Sequence, residues 1–295
     1  MLRKIQKILI IVIVCLTAVL ICDVCRQAGY TEILPEMLHR MSETQSEESE
    51  SETEHREEKL PACYDVRKTG KAPTLKNQGT LGTCWAVAAS SVLESRLLPQ
   101  ESVVFSADHI STQNSYATGQ DKGGAYMIST AYLTAWQGPV TEEMDPYGDG
   151  ETPEGLLPVR HVQEVQMVTD RDFMTIKNLI YTYGAVQSSM YMDLGGERTR
   201  SPFYNREHAS YYYDGEEQIN HDIVILGWDD DYPAENFTRM PSRNGAFICQ
   251  NSWGEDFGNQ GIFYVSYADA NIARTAMAYT KIEPADNYDR IYQTD

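Results

Sequence analysis

The chain has 295 residues, enough for one sizeable domain or two modest ones, and 42% of them are hydrophobic. A formal net charge of −19 leaves no basic footprint for a polyanion, which excludes nucleic acid as a partner. Three of the six cysteines lie within the first 25 residues, so the remainder is not a disulfide framework.

Arg3, Lys4 and Lys7 precede an unbroken apolar run over residues 8–22. A basic start followed by an apolar run is an export signal or a membrane anchor. No small-x-small cleavage site follows it. Residues 1–25 are therefore expected to be an uncleaved signal anchor with its N-terminus in the cytoplasm. The protein is then expected to be single-pass, with its globular domain outside the cytoplasm. Cleavage and secretion is the alternative. Cys22 and Cys25 have Cys-x-x-Cys spacing, but beside a membrane segment, where a zinc or redox reading is poor.

Residues 26–59 are expected to be a disordered tether. Between 42 and 59 eight glutamates face only Arg56 and Lys59. Like charges repel there and almost nothing apolar can be buried. The globular domain is expected over 60–283, with a short tail over 284–295.

Residues 60–76 show no strong periodicity and read as an extended segment. In 75–89 a glutamine precedes a loop with two glycines, then Cys84, then an Ala-rich run that reads as a buried helix. Cys84 thus falls at a helix N-terminus, where orphan N–H groups favour a thiolate. Residues 103–110 form a short strand or turn leading to a second helix, 120–124 a turn, and 125–136 a third helix ended by Gly138-Pro139. Residues 146–158 are a loop rich in Pro, Gly and acids. A helix over 172–183 is capped by Asp170 and stopped by Gly184. A strand follows over 185–192, then β-rich runs at 223–226, 245–249 and 262–267. Helices first and strands later give an α+β architecture with two lobes and a cleft between them.

A cysteine nucleophile needs a base. Of the six histidines, His221 stands at the mouth of an apolar strand, which holds an imidazole in register. A lone histidine in such a place is more often structural. Asn251 follows the strand ending in Cys249 and is suited to orient that imidazole, with Trp253 to cover the bond. The same residues also read as a plain turn.

Taken together, Gln78, Cys84-Trp85, Asn220-His221 and Asn251-Ser252-Trp253-Gly254 resemble, in order and type, the papain family of cysteine peptidases. The resemblance spans about residues 60–281. Segments 123–140 and 227–237 look like the bacterial extracytoplasmic branch, whose members often carry a lectin-like domain; none is expected before the chain ends at Asp295. The resemblance implies a papain-like two-lobed fold and a cysteine-type endopeptidase. Cys84 would be the nucleophile, His221 its partner, Asn251 the orienter and Gln78 part of the oxyanion hole. It implies substrate contacts from Gly123, Gly124, Asp222 and Trp253, with Asp222 favouring a basic side chain at the second residue before the cut.

No metal and no cofactor are expected. The partner is a peptide or protein substrate, the membrane is reached through the N-terminal segment, and the catalytic domain is monomeric. Where many members have a bonded cysteine pair, Leu81 and Asp121 stand here. No long inhibitory prosegment is visible. Whether Cys63 and Cys249 pair is left open by the sequence. An acyl-transfer enzyme with the same triad (a transpeptidase or amidase) and a non-catalytic binding protein are the other readings.

Overall fold

The computed structural model describes residues 60–116, 119–193 and 200–287. The expected signal anchor, tether and C-terminal tail beyond 287 lie outside them. Among the described residues no helix is long and apolar enough to cross a membrane.

The domain is α+β. Strand β1 (Cys63–Asp65) leads through a 3-10 turn (Val66–Thr69) and a long loop to helix α1 (Cys84–Leu97). Helices α2 (Ala107–Thr112) and α3 (Tyr126–Thr134) follow. Then come β2 (Arg160–Thr169), helix α4 (Phe173–Tyr183), β3 (Val186–Met190) and the short β4 (Tyr204–Asn205) and β5 (Ser210–Tyr211). The chain continues through β6 (His221–Asp229), β7 (Ala246–Gln250), β8 (Ile262–Ser266) and β9 (Thr275–Pro284). One sheet orders the strands β2-β9-β3-β6-β7-β8-β5-β4, with β1 on the far end of β6.

Helix α1 is buried on every side from Cys84 to Ser95. Small residues allow this: Ala86, Ala88 and Ala89 let neighbouring backbones approach, and β6, β9 and β3 pack against the helix. Among its buried polar side chains Ser91 Oγ has no hydrogen-bond partner among the described residues, whereas Glu94 and Ser95 are each held by several. Glu94 accepts from Lys76, from Thr74 N (2.9 Å) and from Phe105 N (3.1 Å). Ser95 Oγ donates to Lys71 O (2.8 Å) and accepts from Ala185 N (2.9 Å). These bonds pin the segment before Gln78 to the helix that begins at Cys84.

Several expectations need correction. Asp172, not Asp170, caps α4: its carboxylate accepts from Thr175 N at 3.1 Å. Asp170 sits instead at φ 60 in the tight turn from β2. The ten-residue strands β2 and β9 pair antiparallel along their length, and neither was read from the sequence. Alternation in β2 is broken by a register shift between Val162 and Val165, and β9 carries Ala276, Ala278, Lys281, Glu283 and Pro284, all weak strand formers. Cys63 is exposed and Cys249 buried, and both are free thiols.

Candidate active site

Cys84 is the first residue of α1, so the N–H groups of its first turn face the sulfur. Burial nevertheless pushes the thiol up to about 12, and the Asp222 carboxylate adds to the rise. Backbone hydrogen bonds from Asp222, Trp85 and Cys84 itself pull the other way. Burial outweighs the helix terminus here. A thiol so placed does not ionise alone at neutral pH; it needs a base to take its proton.

His221 opens β6 and is buried at 4% exposure. Its Nε2 lies 2.8 Å from Asn251 Oδ1. The same oxygen accepts from Ser252 N at 2.8 Å, which fixes the amide orientation. Oδ1 is therefore the acceptor and imidazole Nε2–H the donor, leaving Nδ1 as the basic nitrogen of the neutral ring. The Trp253 ring lies tilted over the imidazole at 4.8 Å and meets Phe257 edge-on at 4.9 Å. At 6% exposure Trp253 covers the His221–Asn251 bond, as expected, and leaves little surface for the substrate contact also expected of it.

Gln78 is held from three directions. Its backbone N–H donates to Ser252 O (2.7 Å), and Ser252 Oγ donates to its Oε1 (2.5 Å). Its Nε2 donates to Leu81 O (2.6 Å). Tyr147 Oη donates to its carbonyl (3.1 Å) and bonds the hydroxyl of Thr83, the residue before Cys84. Sequence reasoning missed Tyr147 and Ser252 as supports. Tyr147 sits in the Pro- and Gly-rich loop, where nothing in the local pattern sets it apart.

Gly123 and Gly124 pack on the same loop. Gly82 N donates to Gln120 O at 2.6 Å, and an added Cβ at Gly82 would lie 2.6 Å from Gly123 N. This close backbone contact ties together the two segments carrying Leu81 and Asp121. An added Cβ at Gly124 would lie 2.3 Å from the Trp85 indole nitrogen, so a glycine is needed there for packing alone. Gly124 is exposed and Gly123 half-buried.

The expectation for Asp222 is corrected. Its carboxylate is 5% exposed and turned into the sheet, where Ser189 Oγ (2.5 Å) and Gln187 Nε2 (2.8 Å) donate to it. Both oxygens are engaged inside the wall and do not face a substrate side chain. Burial raises its pKa to about 6, against the lowering effect of those two bonds.

The remaining described histidines are not part of this group. His109 bonds Tyr132 Oη through Nδ1 (2.5 Å), His161 stacks on Trp136 at 4.0 Å, and His208 is exposed. Among the described residues no group of three or more His, Cys, Asp or Glu is placed to hold a metal ion. A cavity of about 260 Å³ opens behind the Gln78 loop, lined by Leu75, Lys76, Val87, Val104 and Glu142 among others; neither Cys84 nor His221 lines it.

A buried helix starting at a cysteine, set against a sheet that supplies histidine and asparagine, defines a class: the thiol hydrolase with a Cys-His-Asn arrangement. The model of the papain family cysteine proteases matches residues 60–281, and the chain belongs to that family. It is 25% identical to cathepsin K of Mus musculus over 215 residues, covering 70% of this chain and 59% of that protein. It is 29% identical to the viral cathepsin of Heliothis zea nuclear polyhedrosis virus over 213 residues, covering 70% and 53%. The chain thus spans little more than half the length of these relatives. Among solved structures it resembles the cysteine protease and lectin-like domains of Cwp84, a surface layer associated protein of Clostridium difficile. That likeness has a TM-score of 0.69 and 27% identity, over 78% of this chain and 53% of that one.

Proposed function

We propose that the protein is a cysteine-type endopeptidase in which Cys84 attacks the peptide carbonyl. The observation that carries this reading is the Nε2–H bond to Asn251, because it leaves Nδ1 of His221 as the base the buried thiol requires. Proton transfer from Cys84 to Nδ1 makes the thiolate and an imidazolium together. Thiolate attack gives a tetrahedral oxyanion. The Cys84 backbone N–H and the second N–H of the Gln78 amide, whose first is used on Leu81 O, receive that charge. The imidazolium then protonates the leaving amine, and His221 activates water to hydrolyse the thioester.

The backbone at half-buried Gly123 and exposed Gly124 serves as the rail along which an extended substrate pairs. The basic run Arg3, Lys4 and Lys7 ahead of the apolar segment supports a catalytic domain carried outside the cytoplasm. Cwp84 is described as a surface layer associated protein, which fits an envelope setting for this chain as well. No feature of the described residues favours transfer of the acyl group to an amine over water.

The test is mass analysis of products from a peptide library with and without an added amine. Hydrolysis products alone are expected, and none from Cys84→Ala. Amine adducts as the main product would make the protein a transferase instead.

A further inference from the structure

The loop from Gln78 to Cys84 is held from outside on two sides. On one, Gly82 N donates to Gln120 O (2.6 Å). On the other, the Tyr147 hydroxyl donates to Gln78 O (3.1 Å) and bonds Thr83. Both supports run back to one atom. Asp108 Oδ1, in α2, accepts from the Gln120 side-chain amide (2.9 Å) and from the N–H of Gly148 (3.1 Å), the residue after Tyr147. Gln120 is fixed a second time by its bond to Ser111 Oγ (2.8 Å), also in α2. Asp108 is fully buried, and its Oδ2 has no hydrogen-bond partner among the described residues. Enclosing a carboxylate with one oxygen unpaired costs stability. Leu81 and Asp121, where many family members have a bonded cysteine pair, adjoin Gly82 and Gln120 in this network.

We infer that Asp108 is a positioning residue: its carboxylate fastens the Gln120 and Gly148 segments to α2 and so sets the loop from Gln78 to Cys84, tying without a covalent bond what the cysteine pair would tie. This rests on the reading of the Gln78 amide as an oxyanion donor. Such a donor works only when aimed at the place where the oxyanion forms, and a small shift of its loop weakens it. Asp108 acts through others at each step. Gln120 passes its hold to Gly82, and the Gly148–Tyr147 segment passes it to Gln78 and Thr83. An ionised acceptor makes stronger hydrogen bonds than a neutral one, which suits a single oxygen that receives two donors. The Tyr147 loop has further anchors. Glu142 Oε1 accepts from Tyr147 N (2.9 Å), and the Thr152 and Thr112 hydroxyls meet at 2.8 Å. Removing the carboxylate therefore loosens the loop without releasing it.

The test uses the full chain and combines steady-state kinetics with hydrogen exchange at the Gly82 amide. Asp108→Ala is expected to lower kcat about tenfold with KM nearly unchanged, and to speed exchange at Gly82. Asp108→Asn is expected to restore most of both, since its amide oxygen accepts the same two bonds. In a Gln78→Ala background Asp108→Ala is expected to have little further effect on kcat, because the group it positions is gone. The same fold loss in both backgrounds, a loss confined to KM, or unchanged exchange at Gly82 overturns the inference. Where Asp108→Ala fails to fold, Gln120→Ala breaks the same link and keeps the backbone carbonyl that Gly82 uses; the same outcomes then decide. If Gln78→Ala alone leaves kcat at the wild-type level, the oxyanion reading fails instead. Exchange at Gly82 then decides by itself whether Asp108 holds the loop.

Discussion

At the scale of single residues, Gln78 and Asn251 have different tasks and different expected costs. The Gln78 side-chain amide is oriented by Ser252 and Leu81 while Tyr147 holds its backbone carbonyl, so truncation deletes an oriented donor without loosening the helix. If Gln78 holds the oxyanion as proposed, Gln78→Ala is expected to lower kcat by about 10²- to 10³-fold with little change in KM. A loss confined to KM would show that the amide binds substrate and not the oxyanion. Asn251→Ala removes the orienting bond together with the Ser252 N–H contact to the same oxygen, and about tenfold in kcat/KM is expected from the lost imidazole hydrogen bond of about 1.4 kcal/mol. Cys84, His221, Asn251 and Gln78 were legible in the sequence because their types and order carry the pattern by themselves. Trp253 was legible as the cover of the His221–Asn251 bond, whereas Asp222 was legible as a position but not as a role. Which way a strand residue faces is set by its partner strand, here Ser189 and Gln187 of β3, and nothing near residue 222 encodes that register.

At the scale of elements, α1 depends on one buried ion pair. Lys76, at 11% side-chain exposure, meets Glu94, at 1%, and Ser90 Oγ at 2.9 Å. Lys76→Met leaves Glu94 as a buried carboxylate without its cation. About 3–5 kcal/mol of destabilisation by denaturant titration is expected. A value below about 1 kcal/mol would show that Glu94 is held well enough by Thr74 N and Phe105 N alone. Gly184, after α4, has φ 110, and an added Cβ would lie 2.9 Å from Ser95 O, so Gly184→Ala strains both the turn and α1. The helices of this domain were legible from apolar runs and breakers, and the strands around His221 and Cys249 from β-branched residues. The long pair β2 and β9 was not. Its Ala276 and Ala278 are buried because partner elements close over them, a reason that exists only in three dimensions.

At the scale of the molecule, charge and buried acids act in the same direction with pH. Burial raises Asp222 and Asp269 to about 6. A carboxyl whose folded pKa exceeds its unfolded one holds its proton more tightly when folded. Its stabilising contribution is complete below the unfolded value and is lost as pH rises through about 6. Self-repulsion from a net charge of −19 grows over the same interval. The melting temperature is expected to be higher at about pH 5 than at about pH 8, and calorimetry showing the reverse would mean other groups dominate. The central claim is that one sulfur, driven by one imidazole, does the chemistry. Its most direct test is covalent labelling of the full chain with an epoxysuccinyl inhibitor, followed by peptide mapping. The account predicts a single adduct on Cys84 in the wild type, none at position 84 in Cys84→Ala and a much slower reaction in His221→Ala. An adduct on Cys63 alone, with peptide hydrolysis surviving in Cys84→Ala, would contradict it.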